Sequence, residues 1–171
     1  MKRISLFFMA GCLLVLLGCL SPRNMIPVSY RATDRLMKHA PAEISPDTPI
    51  LVASFVDISN LEQSSDFGRL ISEHISSRLA QKGYHVKEVK LSKDSIFVKQ
   101  GNGEFILSRR LQHIRTSFKS NYVIVGTYST AKSYVYVNAR MVRIEDNKIV
   151  SSYDFRLPGD SDLWALTELH P

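Results

Sequence analysis

Ile50-Leu-Val-Ala-Ser-Phe-Val56 decides the fold. Six of its seven residues are apolar, and a run of that length without alternation is the pattern of a strand buried on both faces. Asp57 to Ser59 ends it, and Asp57 sits at a strand end, where α/β proteins often keep a functional carboxylate; a turn or helix-entry role is the simpler reading. Downstream, Phe67, Leu70, Ile71, His74, Ile75 and Leu79 recur at helical spacing and form one apolar stripe. Asn60, Ser64 and Ser65 are the available N-caps, and Gly83 is placed to follow the C-cap. Tyr84 to Leu91 then alternates, with Tyr84, Val86 and Val89 on its apolar side. Strand, helix, strand is the unit that builds a sheet with helices packed on it.

The rest of the chain extends that unit. Residues 92–104 are ambiguous, with Ser95 to Val98 as a short strand and Gly101-Asn-Gly103 as a turn. Leu107, Leu111, Ile114 and Phe118 predict a second helix from Glu104, with Arg109, Arg110, Arg115 and Lys119 on its other faces. Tyr122 to Tyr128 is rich in β-formers, and Gly126 inside it marks a bulge or a close backbone approach. Tyr134 to Ile144 alternates, with Val135, Val137, Ala139 and Met141 on one face. Asp146-Asn147 makes a turn, and Ile149, Tyr153, Phe155 and Leu157 align on the returning strand. The predicted fold is a single α/β domain: a mixed sheet with two helices, in the order strand-helix-strand-helix-strand-strand-strand. It occupies residues 49–158. A tail at 159–171 carries Leu163, Trp164, Leu166 and Leu169, enough for a last short helix, with Trp164 packed at the core edge or offered to a partner.

Ahead of the domain, Lys2 and Arg3 precede an apolar run from Leu6 to Leu17, which Ser21-Pro-Arg-Asn24 ends. The run falls short of the roughly 20 apolar residues that span a bilayer, and its layout is that of a secretory signal. Leu16-Leu17-Gly18-Cys19 resembles a lipobox, with Leu17 a less usual middle residue. The expected product is a signal peptide at 1–18, a cut before Cys19 and a lipid thioether on that cysteine. A plain signal with a chance cysteine, or an uncleaved anchor, are the other readings. Cys12 leaves with the signal, so the mature chain keeps one cysteine and has neither an internal disulfide nor a cysteine metal site. Leu20, rather than Asp, after the cysteine favours the outer membrane. Residues 19–48 hold prolines 22, 27, 41 and 46 and little periodicity, and are read as a lipidated tether with at most a short helix around Thr33 to His39.

The formal charge of +6 is uneven: ten Lys or Arg against three acids lie between Arg78 and Lys119. In an exported protein such a segment has no nucleic acid to bind. Its available partners are anionic headgroups, cell-wall polymer or an acidic protein surface, and a solvated face is the simpler account. Nothing assembles an active site. His39, His74, His85, His113 and His170 lack metal-ligand spacing, and there is no nucleophile elbow or phosphate-binding loop. His74, at the edge of the helix stripe, reads as a packed histidine. No catalytic residue, cofactor, metal or small-molecule substrate is expected.

Several stretches in order resemble the FlgO family of flagellar outer-membrane lipoproteins. They are Ile50 to Leu61; Phe67-Gly-Arg69 with Ser72-Glu73; Gly83-Tyr84 with Val86; Gly103 to Arg109; Val125 to Ser129; Tyr136 to Arg140; and Tyr153 to Pro158. The resemblance implies a domain facing the periplasm, needed for motility and associated with the outer part of the flagellar basal body. It also implies a fold akin to curli-secretion and cell-wall-synthase-activator modules, and fold alone does not determine function. The family usually has an acid after Leu-Ser-Arg where this chain has Arg109-Arg110, so an interface there would differ in charge. Arg109, Arg110 and Arg115 are the expected partner contacts, the partners being flagellar ring proteins or further copies of the chain. A binding or regulatory lipoprotein engaging cell-wall polymer or a cell-wall synthase is the alternative.

Overall fold

The computed structural model describes residues 25–61, 64–89 and 119–168. The elements are α1 (Met25–Lys38), β1 (Ile50–Ala53), β2 (Val56–Asp57), α2 (Asp66–Gln81), β3 (Val86–Val89), β4 (Tyr122–Thr130), β5 (Tyr134–Arg143), β6 (Lys148–Pro158) and α3 (Ser161–Thr167). They form one mixed sheet in the order β3-β1-β4-β5-β6, with β2 also on β4. β1 is parallel to β3 and β4, whereas β4, β5 and β6 form an antiparallel meander. The single α/β domain expected from the sequence is therefore the observed one. The helix expected from Glu104 and the strand at Ser95 to Val98 lie outside the described residues.

β1 is buried on both faces, as its unbroken apolar run predicts. Ile50 and Val52 join the core under the helices, and Leu51 and Ala53 are equally buried on the other side. The run is not one strand, however. Val52 pairs with Ile124 and Val56 with Thr127, so this chain advances four residues while β4 advances three. The extra residue lets Phe55 leave the ladder: its N–H donates to the Gly68 carbonyl at 3.1 Å, and its ring lies over Gly126. The close approach expected at Gly126 is this contact.

Ser65 caps α2, accepting from the Gly68 N–H, and Tyr128 Oη donates to the same Ser65 hydroxyl at 2.7 Å. Phe67 meets the Tyr128 ring edge-on at 4.8 Å. At the other end Gly83, at φ 84°, follows the C-cap Lys82. Its N–H reaches Ala80 and that of Tyr84 reaches Leu79, a Schellman closure that requires the left-handed conformation glycine takes freely.

The β5–β6 hairpin turns through Asp146 and Asn147, the latter at φ 58°. Arg143 grips the Asp146 carboxylate through two nitrogens at 3.0 and 2.8 Å, which pulls its pKa down to about 2. Val135, Val137, Ala139 and Met141 face the core as their alternation predicts. On β6 one member of the expected row is corrected. Met141 pairs with Ser151 but Val142 with Ile149, a bulge that inverts the phase and leaves Ile149 47% exposed. The core row is Ser151, Tyr153, Phe155 and Leu157.

The tail carries the short helix expected of it, and one segment read as a tether belongs to the domain as well. The tail forms α3, where the Asp160 carboxylate caps Leu163 N–H at 2.8 Å, Leu163 is buried and Trp164 packs beside it. The tether reading is corrected for residues 25–38: α1 is a full helix lying against β6 and α2. Its buried face is Ser29, Ala32, Thr33, Leu36 and Met37. Ser29 and Thr33 return their hydroxyls to carbonyls four residues back, so burying them leaves no polar group unpaired. Pro27 falls in the first turn, where its missing N–H is not needed.

α1 is also clamped to α2 by charge. Arg78 holds both Asp34 oxygens at 3.0 and 2.8 Å, and Lys82 Nζ approaches the same carboxylate at 3.1 Å. The bond to Arg78, reinforced by Lys82 and opposed by partial burial, holds the Asp34 carboxyl below its ordinary pKa. A carboxyl so depressed stabilises the fold above its unfolded value of 3.8, and that contribution is lost as pH falls through the folded pKa. Asp34→Ala is expected to cost up to about 1 kcal/mol at pH 7, the ceiling for a partly exposed pair. The gap from the parent in urea midpoint should narrow as the pH is brought well below 3.8.

Candidate functional site

Cys19, Arg109, Arg110 and Arg115, singled out from the sequence, lie outside the described residues. Asp57 is a turn residue: its Oδ1 accepts from the Ser59 N–H at 2.7 Å and the Ser59 hydroxyl at 2.5 Å. His74 is half-buried on α2, and burial lowers its pKa. Among the described residues no His, Cys, Asp and Glu side chains converge as a metal site, and no helix is long and apolar enough to cross a membrane.

Among the described residues a cleft of about 530 Å³ lies between α1 and the edge strand β6. One wall is the face of α1 carrying Val28, Arg31, Ala32 and Arg35; the floor is Tyr153 and Phe155. These two are neighbours on the core face of β6, their centroids 6.4 Å apart and planes inclined by 21°. Both are half-buried, and among the described residues no strand lies on the outer side of β6. Arg156 rims the cleft, its guanidinium held 4.4 Å over the Tyr134 ring.

The charges in the cleft do not cancel. Asp34 is its single acid, and that carboxylate is engaged by Arg78 and Lys82. Arg31 and Arg35, one turn apart on α1, are exposed, and among the described residues neither guanidinium has a carboxylate within ion-pair distance. Like charges at this spacing repel by a few tenths of a kcal/mol. The sequence reading passed over both because they lie in the presumed tether. The legible signal was two arginines four apart with no acid at the same spacing.

A family model described as FlgO protein matches residues 30–162. No curated protein sequence matches the chain. Among solved structures, the C-terminal domain of LpoB from Salmonella enterica superposes with a TM-score of 0.55 at 11% identity, covering 77% of this chain and 96% of that one. LpoB of E. coli, solved by NMR, gives 0.50 at 9% identity, covering 77% and 66%. At such identities the likeness concerns the fold. The family match extends from the second turn of α1 to the start of α3, most of the domain and most of α1. This chain belongs to the FlgO family.

Proposed function

We propose that this chain is a non-enzymatic lipoprotein of the outer membrane, anchored through lipid on Cys19, that takes a structural part in the outer flagellar basal body and is needed for motility. The observation that carries this reading is the FlgO match over residues 30–162 behind Leu16-Leu17-Gly18-Cys19. The packing of α1 alters the expected geometry of the anchor. Met25 follows Cys19 by six residues, and a fully extended chain of that length reaches about 20 Å. The domain would thus sit close against the bilayer instead of standing off on a long tether. Flagellar ring proteins or further copies of the chain are the partners, with Arg109, Arg110 and Arg115 as contacts.

Cys19→Ser is expected to move the protein from the membrane to the soluble fraction and to block processing before residue 19. Normal fractionation and cleavage of the variant would remove the anchor from this reading. Deletion of the gene is expected to abolish or strongly reduce swimming; a deletion strain that swims normally with intact flagella would remove the flagellar role. A regulatory lipoprotein engaging cell-wall polymer or a cell-wall synthase is the second reading, favoured by the uncompensated Arg31 and Arg35. Retention on purified sacculi at physiological salt would support it, since a ring component has no intrinsic affinity for them.

A further inference from the structure

We infer that the cleft between α1 and β6 receives an extended peptide segment of a partner protein, which adds a strand to the outer edge of β6 and places acidic side chains against Arg31 and Arg35. The inference rests on the fold and the charges of the cleft, not on the flagellar reading.

The edge comes first. β6 ends the sheet, and among the described residues nothing pairs with its outer side. An open edge offers unpaired backbone groups to any extended chain, and proteins usually blunt such edges. Here the irregularities of the ladder are confined to the two ends. The bulge opposite Met141 and Val142 interrupts the regular ladder near Ile149, and Pro158 closes the far end. Between them Ser151 to Leu157 forms a regular seven-residue stretch, long enough to pair with a short strand.

The chemistry of the cleft then selects the occupant. A helix lying beside an open strand edge is the arrangement in which an added strand gains main-chain hydrogen bonds from the edge and side-chain selection from the helix. Arg31 and Arg35 are four residues apart on one helix, about 6 Å along the axis. Side chains on one face of a strand repeat every two residues, about 6.7 Å. Two acids at alternate positions can therefore meet the two guanidiniums, while their methylene stems lie along Tyr153 and Phe155. A second copy pairing edge to edge would instead set four such arginines on one face without an intervening acid. A phosphate headgroup would satisfy the arginines but make no use of the strand edge.

The test is selection from a randomised octapeptide library on the full-length chain in detergent. Enrichment of acids at two alternate positions is expected. The selected peptide should lose at least tenfold in affinity against the Arg31→Gln, Arg35→Gln double variant, whose exposed sites leave the circular dichroism unchanged. N-methylation of its alternate amides should cost a similar factor, and binding should slow hydrogen exchange at residues 151–157. A library with no acidic enrichment, affinity indifferent to the arginines or to N-methylation, or exchange unchanged on β6 would overturn the proposal. Complete displacement of the peptide by anionic vesicles, but not by neutral ones, would assign the arginines to a lipid surface and overturn it as well.

Discussion

Gly68→Ala is expected to destabilise the domain by about 3 kcal/mol, although helix propensity by itself favours alanine by about 1 kcal/mol. Gly68 is the third residue of α2, and an added Cβ would stand 1.9 Å from the Phe55 carbonyl oxygen and 2.7 Å from the Ser64 hydroxyl. The obstacle is backbone, tied in place by the Phe55 N–H bond to the Gly68 carbonyl, so the helix must lift from the sheet. Gly126→Ala meets the same residue from the other side, its Cβ 1.9 Å from Phe55 Cε1. There the obstacle is a ring, and the cost should be nearer 2 kcal/mol. The two sites separate in a double-mutant cycle. Phe55→Leu should relieve much of the Gly126→Ala penalty, giving a coupling of about 1 kcal/mol, and leave the Gly68→Ala penalty nearly whole. Urea midpoints of the three single and two double variants decide the matter. A Gly68→Ala protein more stable than the parent would show that α2 does not approach β1 as closely as described.

Leu36→Ala is expected to cost about 3 kcal/mol, and deletion of residues 25–38 to abolish cooperative unfolding. A linker would tolerate either change. Leu36 is 0% exposed and belongs to the central core cluster together with Met37. Replacing such a leucine leaves a cavity that its surroundings fill only in part. Ser151, buried on β6, also donates its hydroxyl to the Leu36 carbonyl at 2.7 Å, and deletion would leave that hydroxyl unpaired. The edge rings of Tyr153 and Phe155 would lose the helix that half-covers them. Far-UV circular dichroism and a urea titration of the shortened chain give the answer. A cooperative transition near the parent midpoint would return α1 to the role of a linker.

The candidate site was less legible than the fold. Arg31 and Arg35 stand in plain view in the sequence, but nothing there places them beside Tyr153 and Phe155, more than a hundred residues later. Nor does the sequence show that Asp34, between them, is engaged by Arg78 and Lys82 and so cannot neutralise them. Those are consequences of how α1, α2 and β6 meet.

The sequence by itself determined most of the sheet and the helix α2. Tyr134 to Ile144 alternates with period two, and a half-buried strand needs nothing more. The unbroken Ile50 to Val56 run likewise required burial on both faces, and the stripe from Phe67 to Leu79 required a helix over that sheet. Only the tertiary structure decided where the domain begins. α1 buries Ser29, Ala32 and Thr33 beside Leu36 and Met37, an amphipathic pattern of helical period whose small and polar members and neighbouring prolines masked it. Its prolines misled for a related reason. Pro27 is harmless in a first turn, and Pro41, Pro46 and Pro49 belong to the connection that carries the chain to β1. Burial of such a helix depends on hydroxyls returned to its own carbonyls and on a salt link to α2, and neither is encoded in the periodicity of apolar residues.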